Sequence, residues 1–215
     1  MSTTLSTLRD RTRRYLDEST AGRWTDANVN AYINEGIRFL QSELDRANPD
    51  YFLRVCTFSA SANSYQAALP STIYGHRIRN VQFYENTLSA VGNPYRVQPG
   101  QLEWIYENLD YSGQPAVYQT MAGYILWAPL LQYDSTFRFV YGKKEADLSA
   151  DTDTLDAISD EYTDIISIYA AILAKESKEI PTGGLRAILE RRLMHMANDS
   201  QPIDPFIIPQ VQIDE

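Results

Sequence analysis

The chain has one cysteine, two histidines and no apolar run long enough to cross a bilayer. Each scarcity removes a class of function. With Cys56 alone, no disulfide can form within the chain, and a buried, unreactive thiol is the expectation for a cysteine in a strand-like run. His76 and His195 have no second His, Cys or carboxylate at metal-ligand spacing, which argues against a zinc site. A membrane helix needs about 20 consecutive apolar residues, so no membrane partner is expected. Met1-Ser2-Thr3-Thr4 lacks the basic and apolar segments of a secretory signal, and synthesis in the cytoplasm is the expectation. Basic residues are in deficit: 19 Lys and Arg against 28 Asp and Glu give a net charge of −9. Gripping nucleic acid takes clustered Lys and Arg, so this balance suits a surface that DNA passes without sticking.

Chemical motifs are scarce as well. Gly183-Gly184 lacks the Lys-Ser/Thr of a phosphate loop, and no Gly-x-Ser-x-Gly elbow occurs. Asp151-Thr152-Asp153-Thr154 opens like a calcium loop. It then places Leu155, Asp156 and Tyr162 where a ligand, the turn glycine and the bidentate glutamate belong. The segment reads instead as a solvated acidic linker that caps the following helix. Paired carboxylates of the glycosidase kind are the enzymatic alternative, since acidic residues are plentiful. Glu103, beside Trp104 and Tyr106, is the candidate, on an amphipathic helix where a solvent-facing Glu is ordinary. The reading is of a non-enzyme, with no catalytic, cofactor-binding or metal-binding residue and no cofactor.

What the chain does contain begins with a helix that has its start written in. Thr25 is a favoured N-cap, Asp26 places negative charge in the first turn, and Trp24 and Val29 hold the two positions of a hydrophobic staple. Val29, Ile33, Ile37, Leu40 and Leu44 follow at helical spacing. Gly36 lies on the same stripe at a cost of about 1 kcal/mol of helix propensity, which another backbone lying close against it would explain. Asn34 sits at the stripe's edge. Asn48-Pro49-Asp50 ends this helix.

Before it, Leu5, Leu8, Thr12, Tyr15 and Leu16 mark a first helix of about four turns ending near Glu18. Arg9, Arg11, Arg13 and Arg14 read as an exposed face salted with Asp10, Asp17 and Glu18, the alternative being a patch for an anionic partner. From Tyr51 to about Asp147 the texture turns β-branched and aromatic with frequent turn signals. Tyr51 to Phe58 reads as a strand that Ser61–Ser64 can turn and Tyr65 to Leu69 can return. Arg77 to Tyr84 is a strand with one wet face, and Glu85-Asn86 a turn into Thr87 to Val91. Pro99 fits the first turn of a short helix bearing Leu102, Ile105, Tyr106 and Leu109. Pro115 to Thr120, Met121-Ala122-Gly123 and Tyr124 to Trp127 form a hairpin, and Ser135 to Tyr141 a further strand.

Helix then returns. Ser159 or Asp160 can cap a segment bearing Tyr162, Ile165, Ile166, Tyr169, Ile172 and Leu173. After Ile180-Pro181-Thr182-Gly183-Gly184 a last helix carries Leu185, Ile188, Leu189, Arg192, Leu193 and Met196. The fold class is therefore α+β. Two N-terminal helices (1–50) and two C-terminal helices (151–199) form a bundle, with a mostly antiparallel β region and a short helix inserted (51–150). An extended, Pro-rich arm (200–215) follows. Its prolines forbid a helix, yet Ile203, Phe206, Ile207, Ile208, Pro209, Val211 and Ile213 make it too apolar for an entropic tail. Such an arm suits a groove or sheet edge on a partner, or else packs on its own bundle. The 15 Tyr against 7 Phe point the same way, since Tyr suits surfaces buried on assembly.

Taken in order, Leu5-x-x-Leu8-Arg9, Arg13-Arg14-x-Leu16, Arg23-Trp24-Thr25-Asp26, Tyr32-Ile33-Asn34-Glu35-Gly36, Tyr65 to Pro70, the hairpin Pro115 to Pro129, Tyr141-Gly142-Lys143-Lys144 and Ile158-Ser159-Asp160-Glu161-Tyr162 carry a resemblance. The chain resembles the head–tail adaptor (connector) proteins of tailed bacteriophages, over nearly its full length to about residue 199. The resemblance implies a virion protein at the head–tail junction, assembled in the host bacterial cytoplasm. It further implies a ring, usually a dodecamer, docked beneath the portal protein, extending the DNA channel and offering a platform to a nozzle or tube protein of the tail. Trp24, Thr25, Asp26, Asn34 and Gly36 match the family's motif as structural residues. The alternatives are another tail component, such as a nozzle or tube-completion protein, and less well a cell-wall glycosidase.

Overall fold

Helix α1 (Leu5–Tyr15) begins where the Thr4 hydroxyl accepts the amide of Thr7. It stops short of Glu18, where its periodicity had pointed. Asp17 takes a left-handed φ of 58°, the Asp17 amide turns back to Arg14 O, and the Glu18 amide to Arg13 O. This paired closure usually falls to glycine; here an aspartate fills it, so the sequence carries no glycine stop signal. The computed structural model describes residues 3–18, 22–85 and 95–200, with the backbone alone for 74–77, 79, 85 and 95. The expected turn at Glu85-Asn86, the strand Thr87 to Val91 and the arm lie outside the described residues or their described side chains.

The protein is α+β, with five α-helices and a mostly antiparallel sheet among the described residues. It divides into two units, one comprising the chain up to Tyr51 together with the chain from Glu145, the other Phe52–Lys144. The first unit holds α1, α2 (Asp26–Ala47), and two helices from the C-terminal part, Thr163–Glu176 and Gly183–Asp199, called α4 and α5 because a short helix precedes them. Helix α4 is the most deeply buried of these, touching α1, α2 and α5. Its run of Ile165, Ile166, Ile168, Ala170, Ala171, Ile172 and Ala174 is inaccessible on nearly every side, as a helix enclosed by neighbours must be. Neither Ser159 nor Asp160 caps it with a side chain. A 3-10 turn at Asp160–Tyr162 leads in, and the Asp160 carboxylate instead accepts the amide and hydroxyl of Thr3, at 2.8 and 2.7 Å.

The second unit contains strands β1 (Leu53–Ala60), β2 (Gln66–Ala68), β3 (Ile73–Glu85), β4 (Tyr95–Pro99), β5 (Ser112–Gly113), β6 (Val117–Met121), β7 (Tyr124–Ala128), β8 (Leu130–Leu131) and β9 (Ser135–Lys143), with helix α3 (Leu102–Glu107). Seven strands form one sheet in the order β1-β9-β3-β4-β6-β7-β2, while β5 and β8 pair separately. Only β4–β6 and β5–β8 are parallel. The core is aromatic: Phe137 stacks on Phe58 at 5.1 Å and lies 4.6 Å from Trp127. Strand β7 is buried on both faces, with Ile125 and Trp127 in the main core and Leu126 and Ala128 packed with Ile105 of α3.

Two local expectations give way here. Tyr65 to Leu69 does not return on β1, because β2 pairs with β7 and β1 with β9. Pro99 is not in the first turn of α3. It closes β4, and the Gly100 amide extends the ladder by donating to Tyr118 O at 2.8 Å. A Cβ at Gly100 would fall 2.8 Å from the Val117 side chain, so that close approach needs glycine. Cys56, expected to be buried, is half-buried on β1.

Candidate functional site

The residues singled out at the start of α2 hold the helical unit together. Thr25 Oγ1 accepts the Asn28 amide at 3.2 Å. Trp24 is 2% exposed, and its indole nitrogen donates to the Ala174 carbonyl at 3.0 Å, tying the start of α2 to the end of α4. The Arg23 guanidinium lies 5.7 Å from the Trp24 ring centroid, within cation–π range. Asn34 pairs both ways with the backbone of Leu148, donating to its carbonyl at 3.0 Å and accepting its amide at 2.8 Å. A Cβ on Gly36 would meet the Ile166 carbonyl oxygen at 2.9 Å.

The arginines of α1 are not an exposed face. Arg13 is 5% exposed, and its guanidinium donates to Asp26 Oδ1 at 2.5 Å, to the Trp24 carbonyl at 3.2 Å and to Glu18 at 3.4 Å. Arg9 donates to Asn30 and Asp151, and Arg11 to Thr163. Only Arg14 of the four is exposed. Leu5, Arg9 and Arg13 are spaced by four along the helix, so periodicity already placed these arginines beside the apolar stripe; their charge masked it. The hydrogen bond from Arg13 holds the Asp26 carboxyl below the ordinary carboxylate range. Desolvation opposes that shift, and the nearby charges of Arg13 and Arg9 reinforce it. Asp151 in turn raises Arg9 by the hydrogen bond it accepts.

The acidic stretch is solvated as expected, with Asp147, Asp151 and Asp156 exposed, but the Asp153 carboxylate bonds within its own loop instead of capping the following helix. Asp153 accepts the amides of Ser149 and Ala150 and the Ser149 hydroxyl, which lowers its pKa. Just upstream, the buried Glu145 accepts the amides of Asp156 and Ala157. These carboxylates clasp their own loop, and among the described residues no group of three or more His, Cys, Asp or Glu is arranged for a metal.

Two clefts flank α5. One, of about 230 Å³, is lined by Glu161, Tyr162, Asp164, Arg192, His195 and Asp199 among others, and Arg192 pairs with Asp164 across it at 3.0 Å. The other, of about 310 Å³, lies between the end of α2 and Leu193, Met194, Met196 and Ala197. The apolar stripe expected on α5 is only partly covered: Leu189 and Met196 are buried while Ile188 is exposed, and off the stripe Met194 is 69% exposed. Glu103, the glycosidase candidate, is exposed on α3 and lines neither cleft. Gly183 and Gly184 open α5 with nothing within 4 Å of where a Cβ would sit.

In the β unit, large apolar and aromatic side chains reach the surface. Trp104 and Tyr106 on α3, Tyr111 beyond it, Met121 and Tyr124 at the β6–β7 hairpin tip, Tyr133 and Val55 are all exposed. Met121 and Tyr124 are directly paired across the hairpin. The arm residues Ile203, Phe206, Ile207, Ile208, Pro209, Val211 and Ile213 lie outside the described residues. No helix among the described residues is long and apolar enough to cross a membrane. Residues 3–204 match the family described as SU10 adaptor protein. No curated protein matches the chain.

Proposed function

The chain belongs to the SU10 adaptor protein family, a family of structural phage proteins, and on that premise we propose that it is a subunit of the ring joining head to tail. In this reading copies of the chain, twelve by analogy with the family's usual ring, dock beneath the portal protein. They extend the DNA channel and present a platform to a nozzle or tube protein of the tail. Assembly takes place in the host bacterial cytoplasm. The observation that carries the reading is the family match from residue 3 to residue 204, nearly the whole chain.

Physical features fit it. Helices α1, α2, α4 and α5 serve as a rigid bundle, with Trp24, Thr25, Asp26, Asn34 and Gly36 as its fasteners. The exposed aromatics of the β unit supply contact area to neighbours, and the apolar arm embraces either the portal or the adjacent subunit. A net charge of −9 gives the channel wall a sign that repels packaged DNA; a lumen lined by Lys and Arg in the assembled ring would overturn that element.

The test is negative-stain microscopy of virions made without this protein. Filled heads that leak DNA and carry no tails are the expected outcome, and normally tailed particles would refute the proposal. Light scattering of the purified chain adds a second measurement. A chain that assembles on portal supports an adaptor, whereas one that assembles on tail components and ignores portal is a nozzle or tube-completion protein.

A further inference from the structure

Strand β1 ends the seven-stranded sheet, with β9 on one side and, among the described residues, no strand on the other. Proteins normally blunt such an edge with lysine, proline, a bulge or a very short strand. Strand β1 uses none of these. It runs for eight residues, Leu53-Arg54-Val55-Cys56-Thr57-Phe58-Ser59-Ala60, with a single charge and an unbroken register from Leu53↔Gly142 to Ala60↔Ser135. Val55 is 53% exposed, and Arg54, Thr57 and Ser59 are exposed as well. Beyond the ladder to β9, none of these eight residues has a backbone–backbone hydrogen bond among the described residues. Among the described residues, one row of amides and carbonyls therefore has no backbone partner; on it the Leu53 carbonyl accepts only the Arg54 guanidinium at 2.9 Å and the Thr57 carbonyl only the Cys56 thiol at 3.8 Å.

The complement is written beyond Ser200. From Ile203 to Ile213 every odd-numbered residue is apolar: Ile203, Pro205, Ile207, Pro209, Val211 and Ile213. In an extended strand, side chains of one parity share a face, and backbone groups of one parity share an edge. The two prolines, each lacking the N–H that a ladder needs, therefore fall on the same edge. The other edge, formed by residues 204, 206, 208, 210 and 212, keeps every donor and acceptor. Charge agrees: from residue 203 the segment carries Asp204, Asp214 and Glu215 and no cation. Strand β1 carries Arg54, and exposed Arg138 lies opposite Thr57.

We propose that residues 203–213 of one copy add as a strand to the open edge of β1 in a second copy, with the even-numbered residues facing β1. The contact joins two different surfaces, so it hands each copy on to the next, the arrangement that closes into rings. In this respect it rests on the ring reading above.

The test uses full-length chains in a Cys56→Ser background, one carrying Thr57→Cys and the other Gln210→Cys. The two are mixed with portal protein and treated with a short bismaleimide. A cross-link between the two chains is expected. A second proline series tests the parity: Gln212→Pro, on the pairing edge, should lower the yield about tenfold, the loss of roughly one hydrogen bond's worth of affinity. Val211→Pro, on the edge already lacking donors, should leave it nearly unchanged. Equal loss from both prolines overturns the proposal, as does a third chain that carries both cysteines and cross-links only within itself. Rings that form without any cross-link overturn the arm contact and leave the ring reading standing. Cross-linked chains that never close into rings keep the contact and overturn the ring.

Discussion

Gly36 has no side chain because there is no room for one. Its missing Cβ would stand 2.9 Å from a backbone oxygen of α4, and a backbone yields less readily than a side-chain tip. Gly36→Ala would gain about 1 kcal/mol of helix propensity and lose about 1–3 kcal/mol to overpacking. A net loss of stability is expected, read from the urea midpoint. Asn34 is a comparable fastener, and Asn34→Ala should cost about 1–3 kcal/mol by stranding the Leu148 amide and carbonyl. Charge enters through Asp26. Its carboxyl titrates lower in the folded chain than in the unfolded one because Arg13 donates to it. Its contribution is therefore complete above the ordinary carboxylate range and is lost as pH falls through the lowered folded value. Asp26→Asn should flatten the acid side of the stability–pH curve, measured by denaturant titrations at falling pH, and leave the neutral-to-alkaline side with the same slope.

At the scale of elements, local signals were readable wherever the partner was local. The cap at Thr25, the stop at Asn48 and the β6–β7 hairpin each depend on residues a few positions apart, and periodicity or turn chemistry reports them. The hairpin turn is Ala122-Gly123, with φ of 48° and 85°. Both residues are left-handed, which is the two-residue turn that matches strand twist. Alanine is poorly suited to that backbone. Ala122→Asn should raise stability by about 0.5–1 kcal/mol, part of the roughly 1–2 kcal/mol that left-handed backbone costs a residue with a Cβ; an unchanged or lower thermal midpoint would contradict it. Elements whose partners are distant were not readable in this way. The run Tyr65 to Leu69 looks like the return strand of a hairpin, but its ladder is made with β7, far along the chain. The last helix presents an apolar stripe in sequence, yet Ile188 on that stripe stays exposed. Periodicity states which face is apolar, not whether anything covers it.

For the whole molecule, the arm is the part whose removal separates folding from assembly. Deleting residues 201–215 should leave the thermal midpoint of the remaining chain unchanged and impair its assembly into a ring on portal; a ring that still forms would show the arm assignment to be wrong. The amino-acid order by itself determined the α+β class, the main helices, the β character of the middle and the family, because caps, periods and short motifs are local and survive being read one stretch at a time. Tertiary structure alone decided that Arg9, Arg11 and Arg13 turn inward to Asn30, Asp26, Asp151 and Thr163, and that the acidic stretch clasps its own loop. It also decided that Asn34 meets Leu148 across 114 positions of chain. A charge looks solvated in sequence whatever its fate, since burial depends on whether a distant partner arrives to pair with it.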